Sequence, residues 1–405
     1  MSPGRLELSR RRAARILVLL AVQLTLVFGL LEGALRWLGP RQPGLNQLLY
    51  IPSIRTDFDR IGDLPTLMRA SVEGYRPREQ HGDFVYSSRS MRTREYAGEK
   101  KPGVYRIAVF GDSFAHGSGG TPYRQMWTTR LEGALKERVD REVEVFSLGV
   151  GGVGPGFELR LWELERELLR ADGVVVGFFV GNDFTDERPE TPWRESALRQ
   201  HSLVVRLIGN GARLWRERAL ADEWITTAAD TPPGTPGGTV ADPHYVRDPN
   251  RRKLSDEALL GIEGRIIQIC LERRREWFDR RAREVLQVLA RFHAEVTSDG
   301  SRFLVLLIPD QVQVDDALRA RVLEQLGVAT ADVEVDRPQR LLTRLLDERG
   351  IESFDLLPLF RERALSEPLY WLGDTHWNVE GNALAADALA RHVERWIREP
   401  KGSAG

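Results

Sequence analysis

A central parallel sheet covered on both faces by helices, an α/β fold, is the architecture this sequence predicts. Three observations predict it. From Val104 onward, apolar runs alternate with amphipathic helical stretches. The runs are apolar at consecutive positions rather than at every second one, as strands buried on both faces require. Two of them stop at glycine and another at proline, the residues of tight strand-to-helix turns. The 405 residues suffice for one large α/β domain with additions.

The first element precedes that domain. Five arginines (Arg5, Arg10, Arg11, Arg12 and Arg15) lead into the uncharged run Ile16–Leu31. This is slightly short of the ~20 residues of a spanning helix. Ala13 and Ala14 extend it on one side and Gly33–Leu38 on the other, with Glu32 near the interface. Arg15 and Arg36 are placed to snorkel, and Trp37 sits where an interfacial anchor would. Residues 1–39 are therefore expected to form a cytoplasmic tip and a signal-anchor transmembrane helix, with the remainder beyond the membrane. A cleaved signal peptide and a buried soluble helix are the alternatives. No clear small-x-small cleavage site follows the run.

Residues 40–100 are polar, with Pro and Gly scattered through them, and read as a tether with short strands, Asp83–Ser88 the best candidate. The domain proper is expected over 101–398. Its strands are predicted over Val104–Phe110, Val143–Gly149, Gly173–Asp183, Arg302–Asp310 and Ile351–Leu357. Its helices are predicted over Met126–Val139, Gly156–Arg170, Arg337–Gly350 and Val379–Ile397. Between the third and fourth strands lies an insertion, about 185–300. It contains the Pro/Gly/Thr segment Ala228–Pro243, then one long helical stretch from Ser255, a good N-cap, to Thr297. The charge run Glu272–Glu284 reads as a solvated helix face, the alternative being a surface for anionic polymer or lipid headgroups. Residues 399–405 read as a disordered tail.

Composition limits the partners. With 58 basic and 59 acidic residues the formal net charge is −1, which gives no general field for nucleic acid. Cys270 is the one cysteine, so neither an intrachain disulfide nor a thiolate zinc site can form.

The chemistry centres on Ala108–Gly120, AVFGDSFAHGSGG, where a buried strand stops at Gly-Asp-Ser. A nucleophilic serine needs a base, an orienting group and oxyanion donors. Of seven histidines, His376 stands out, with Asp374 two residues before it in the loop WLGDTHWN. A neighbouring carboxylate can accept the Nδ1 proton and set the tautomer. A capping Asp beside a surface His is the plainer explanation of that pair. His116, three residues from Ser113, is the rival base or a wall of the site. The glycine cluster Ser147–Gly156 lets backbone N–H groups approach a substrate closely. Asn182, ending the third strand, offers an amide donor. A tight turn and an Asx-turn are the plainer explanations of these two. Trp371 and Trp377 flank the pair either as packing or as platforms for sugar rings.

In this order, GDSF, SLGVGG, GND and DTHWNVEG resemble the four blocks of the SGNH/GDSL hydrolase superfamily, over roughly 100–190 and 300–398. The resemblance implies a flavodoxin-like three-layer α/β/α sandwich and a triad of Ser113, His376 and Asp374. It implies an oxyanion hole from the Ser113 and Gly152 N–H groups and the Asn182 amide, with no metal or organic cofactor. Two departures stand out. The acid–base pair is Asp-x-His rather than the commoner Asp-x-x-His, which is similar to the branch of alginate-acetylation proteins, O-acetyltransferases of the cell envelope. The second block begins with Ser147 where the family often has Asn. The expected protein is a single-pass bacterial inner-membrane serine esterase with its catalytic domain on the periplasmic or extracellular side. Its substrate would be an acylated carbohydrate or another ester. A polysaccharide O-acetyltransferase, a membrane-associated lipase and a non-catalytic carbohydrate-binding envelope protein are the alternatives.

Overall fold

A computed structural model describes residues 3–38, 85, 87, 91–96, 99–186, 202–205, 207–208, 250 and 252–398. The Pro/Gly/Thr segment Ala228–Pro243, the tail 399–405 and most of the strand expected at Asp83–Ser88 lie outside the described residues; Val85 and Ser87 are not in a strand.

The chain opens with helix α1 (Pro3–Leu38). Its part Val18–Leu38, 21 residues, is long and apolar enough to cross a membrane; its described side chains are exposed except Glu32, Leu35 and Leu38, which are half-buried. Glu32, the one acid in that part, is neutralised locally. It pairs with Arg36 at 2.7 Å and accepts hydrogen bonds from Ser202 Oγ at 2.9 Å and from the N–H groups of Leu203 and Val204 at 3.0 and 3.1 Å.

The domain follows as β1 (Tyr105–Gly111), α2 (Ser113–His116), α3 (Trp127–Lys136), β2 (Val143–Gly149), α4 (Pro155–Leu169), β3 (Gly173–Phe179) and α5 (Asp183–Asp186). After the insertion come α6 (Asp256–Ile266), α7 (Arg275–Ser298), β4 (Arg302–Ile308), α8 (Gln311–Val314) and α9 (Asp316–Leu326). The last elements are α10 (Arg337–Asp347), β5 (Ser353–Asp355), α11 (Leu357–Ala364) and α12 (Val379–Arg398). All five strands predicted from the apolar runs are present, the fifth shortened to three residues.

They form one parallel sheet in the order β2-β1-β3-β4-β5. Period-two alternation sends Ile107 and Val109 to one face, against Trp127 and Leu131 of α3 and Leu389, Val393 and Trp396 of α12. Ala108 and Phe110 face the other way, into a core with Trp162 of α4 and Phe292 of α7. Phe110 meets those two rings edge-on at 6.1 and 5.6 Å, a geometry the aromatic quadrupole favours. The result is the three-layer α/β/α sandwich expected. Since β1 is flanked by β2 on one side and β3 on the other, the connections leave it in opposite directions. The topological switch point therefore lies at the carboxyl ends of β1 and β3, the ligand position of such sheets.

The single helix expected over Ser255–Thr297 is two helices. Ser255 does cap α6, accepting from Ala258 N at 3.1 Å. The helix then breaks into 3-10 turns at Ile267–Cys270 and Glu272–Arg274, with Leu271 extended and bridged to Val333. Ile267, Ile269, Cys270 and Leu271 are all buried, so side chains on more than one side of the segment must enter the core, which one helical stripe cannot do. Besides the one-turn α2 and α5, three helices were not anticipated: α8, α9 and α11. Signals for the first two were present, a capping box of Asp310 with Gln313 and the N-cap Asp315 paired with Gly327 in the left-handed region at φ +62°.

Candidate active site

The turn after β1 is built around close approach. A side chain at Gly111 would place Cβ 2.9 Å from Gly177 O on β3, and one at Gly149 would meet the backbone of Ala115 and His116 at 2.3 and 2.1 Å. With these carbons absent, the ends of β1, β2 and β3 converge beneath α2. Asp112 caps that one-turn helix, its Oδ1 accepting from Phe114 N at 2.9 Å. Ser113, the first helical residue, is partly exposed at the sheet's carboxyl edge.

A helix this short leaves its carbonyls to others. Trp127 Nε1 donates to Phe114 O at 3.0 Å. Ser147 Oγ donates to Ala115 O at 2.7 Å. The Arg92 guanidinium donates to His116 O, Gly117 O and Thr121 O at 3.1, 2.6 and 2.7 Å. Ser147, where the superfamily it resembles often has Asn, thus has a defined task beneath the turn that carries Ser113. Sequence reasoning missed Arg92 altogether, because it lies in the aperiodic stretch before β1. There Met91, Arg92, Thr93 and Tyr96 are all buried against the domain.

The second half of the site is a hairpin-like loop. Tyr370 and Trp377 form an antiparallel bridge, Trp371 N donates to His376 O at 3.0 Å, and Asp374 N donates to Trp371 O at 3.1 Å. Asn378 closes the loop and starts α12, its Oδ1 accepting from Gly381 N at 2.9 Å. Within the loop, His376 Nδ1 lies 2.7 Å from Asp374 Oδ1. Assigned as a donor there, Nδ1 keeps the proton and leaves Nε2 the basic nitrogen. Asp374 is 2% exposed, and its Oδ2 lies 3.2 Å from Lys253 Nζ.

The two halves meet. The ring of Phe114, next to Ser113, lies 5.3 Å from the His376 imidazole. Gly119, at φ +87°, passes so close that its Cβ would sit 2.8 Å from that of His376. The hydrogen bond expected between Ser113 Oγ and His376 is, however, not formed among the described residues. Oγ instead donates to Asp112 Oδ2 at 3.3 Å, because the capping carboxylate has a second oxygen to offer. Gly152 (φ +75°) lies in the turn after β2, and Asn182 in the turn after β3. That second turn is folded back by Asp183, whose Oδ2 accepts from Phe179 N at 2.8 Å. Ser113, Gly152 and Asn182 therefore all follow the carboxyl ends of the three strands nearest the switch point.

His116 is a weaker candidate base than His376. Burial first, then the Arg92 guanidinium and His376, push its imidazole down to about 3, so it is neutral across the physiological range. Its Nδ1 lies 3.2 Å from Ser118 Oγ. Trp371 and Trp377 are 3% and 2% exposed, which rules them out as sugar platforms. Trp377 stacks on Phe360 at 4.8 Å and meets Phe114 edge-on at 4.9 Å; Trp371 donates to Thr121 Oγ1 at 3.4 Å. In the charge run Glu272–Glu284, Arg275 pairs with Glu272 and Arg281 with Glu284, while Asp279 pairs with Arg337 of α10.

Residues 272–404 match a family model described as SGNH hydrolase-like domain, acetyltransferase AlgX. The match takes in β4, β5, Asp374 and His376, and leaves out the blocks of Ser113, Gly152 and Asn182. It bears out the resemblance read from the motifs. No curated protein matches the chain at a significant level. Among solved structures, the chain is similar to a catalytic mutant of Axe2, an acetylxylan esterase from Geobacillus stearothermophilus, at 13% identity and a TM-score of 0.36, covering 74% of this chain and 97% of that one. It is similar to the lipase/acylhydrolase from Enterococcus faecalis at 11% identity and a TM-score of 0.38, covering 74% and 100%. For the esterase EstA from Pseudoalteromonas sp. the figures are 10%, 0.37, 73% and 99%.

Proposed function

We propose that this chain, SGNH hydrolase-like over its C-terminal third, is a membrane-anchored serine esterase acting on acetyl groups ester-linked to envelope or extracellular carbohydrate. The observation that carries the reading is the 2.7 Å Asp374–His376 pair, held against Phe114 beside Ser113 at the sheet's carboxyl edge. It is the constellation that activates a hydroxyl nucleophile. Catalytic hydrogen bonds are often unmade before substrate binds.

In the proposed cycle, rotation about χ1 turns Ser113 Oγ from Asp112 to His376. Oγ gives its proton to Nε2 and bonds to the ester carbonyl carbon. The oxyanion is held by the N–H groups of Ser113 and Gly152 and by the Asn182 amide; loss of one such donor typically costs about 2.7–4 kcal/mol of barrier. Collapse breaks the ester C–O bond, and His376 returns the proton to the leaving alcohol. Water then attacks the acyl-serine, His376 taking its proton and passing it back to Oγ. Asp374 stabilises the imidazolium in both halves. The exposed apolar helix Val18–Leu38 supports a membrane anchor, and the arginines before it support a cytoplasmic N-terminus.

A second reading replaces water with a sugar hydroxyl. The acetyltransferase description of the family matched over 272–404 favours it. Two measurements test the proposal. A fluorophosphonate probe should label the wild-type protein and not Ser113→Ala, and the variant should lose at least ~10³-fold in turnover of acetyl esters. Equal labelling of the two would remove Ser113 from the chemistry. With acetylated sugars, free acetate identifies hydrolysis and a newly acetylated acceptor identifies transfer. A wild type that neither labels nor turns over is a binding protein.

A further inference from the structure

Lys253 lies at the far end of the insertion, more than a hundred residues before Asp374 in the chain, yet its ammonium reaches the carboxylate that orients His376. The contact is not a chance meeting of two surface side chains. Asp374 is 2% exposed and Lys253 24% exposed, with Nζ 3.2 Å from Oδ2 while Oδ1 serves His376. The backbones are also clipped together. Lys253 N donates to Leu372 O at 3.2 Å, and Leu254 N donates to Gly373 O at 2.9 Å. Gly373, at φ +62°, admits this strand-like contact; its Cβ would lie 2.5 Å from Arg252 Cγ and 2.9 Å from Leu254 O. One residue later, Ser255 caps α6, so the clip continues directly into a helix of the domain.

Resting on the esterase reading above, we propose that Lys253 is a positioning residue for the reaction: the insertion supplies the cation that holds Asp374 ionised and in register with His376. The physical reason is that a buried carboxylate is costly unless an opposite charge meets it; Asp374 also accepts from His376 N at 3.2 Å, but a neutral N–H brings no full charge, and Lys253 does. A cation on the other oxygen fixes its rotamer. It also dilutes the negative field that the imidazole feels. Other charged or titratable groups face the same centre. His116 and, behind it, Arg92 flank the ring from the α2 side, and Asp112 lies at Ser113. Removing Lys253 leaves all of these in place.

The test uses the full-length protein in detergent with p-nitrophenyl acetate as the probe ester. Lys253→Met keeps the alkyl stem and removes the charge. It should lower kcat roughly tenfold with KM within about twofold, the signature of misorientation rather than lost binding. The acid limb of the kcat–pH profile should move up, because the imidazole now sees Asp374 without its counter-charge. Lys253→Arg should restore most of kcat and the original limb. If Lys253→Met is folded, labels with fluorophosphonate like the parent and keeps both kcat and the acid limb, the role is refuted while the esterase reading stands. If a folded Lys253→Met loses kcat but Lys253→Arg loses as much with no movement of the limb, the residue is merely structural and the role is likewise refuted. If the parent neither labels at Ser113 nor turns over ester, the esterase reading fails and takes this role with it.

Discussion

Three side chains from separate parts of the sequence close the carbonyls of α2 and of the turn after it: Trp127 on Phe114, Ser147 on Ala115, and Arg92 on His116, Gly117 and Thr121. Buried carbonyls that lose a donor cost about 1–3 kcal/mol each. Ser147→Ala should therefore destabilise the domain by about that amount, and Arg92→Met by more, as measured by urea unfolding of the detergent-solubilised protein. Both should slow probe labelling of Ser113, since the turn that presents it is no longer held. A Ser147→Ala protein as stable and as reactive as the parent would show that the hydroxyl is incidental. At this scale the sequence exposes the candidate reacting groups and conceals their supports. Ser113, Asp374 and His376 stand out because their residue types carry chemistry. Arg92 and Lys253 do not, because what marks them is a partner brought near by folding.

Glycine decides how closely the elements pack. Gly149 ends β2 against the backbone of α2, where no Cβ fits. Gly149→Ala must push β2 and α2 apart. A loss of about 1–3 kcal/mol is expected, together with loss of fluorophosphonate labelling. Gly133, inside α3, has nothing within 4 Å of a built Cβ. There the same change should stabilise by up to about 1 kcal/mol, through helix propensity alone. Thermal unfolding of the two variants side by side checks the contrast, and equal effects would refute it. Strand and helix identities were largely legible from the apolar runs and the 3.6-residue periodicity. The break between α6 and α7 was not. Neither Pro nor Gly marks it; it goes with burial on more than one side of the segment and with the Leu271–Val333 bridge, contacts between distant segments.

For the whole molecule, the buried acids set the response to pH. Asp355, at the end of β5, has its carboxyl pushed up to about 6, chiefly by burial, although it accepts from Leu357 N at 2.9 Å. Burial also raises Glu263 and Asp310, neighbours beside the end of β4. A carboxyl whose value is higher folded than unfolded binds more protons in the native state between the two values. Stability therefore falls as pH rises through that window, here from about 4 to about 6 for Asp355. The span corresponds to a few kcal/mol at most. Unfolding midpoints should be higher at pH 5 than at pH 8. Asp355→Asn, which keeps an acceptor for Leu357 N, should flatten part of that slope and gain stability at pH 8. An unchanged slope would place the effect in other groups.

The alternation of apolar runs with helical stretches was enough to determine a parallel α/β sheet, because each strand must bury both faces. The order of the motif blocks was enough to nominate a nucleophile, a base and its carboxylate. Only the tertiary structure decided which side chains hold those groups in place. It paired Asp374 with Lys253, neutralised His116, buried both tryptophans and turned Ser113 toward Asp112. Such outcomes depend on distances between segments far apart in the chain, and local pattern carries no record of them.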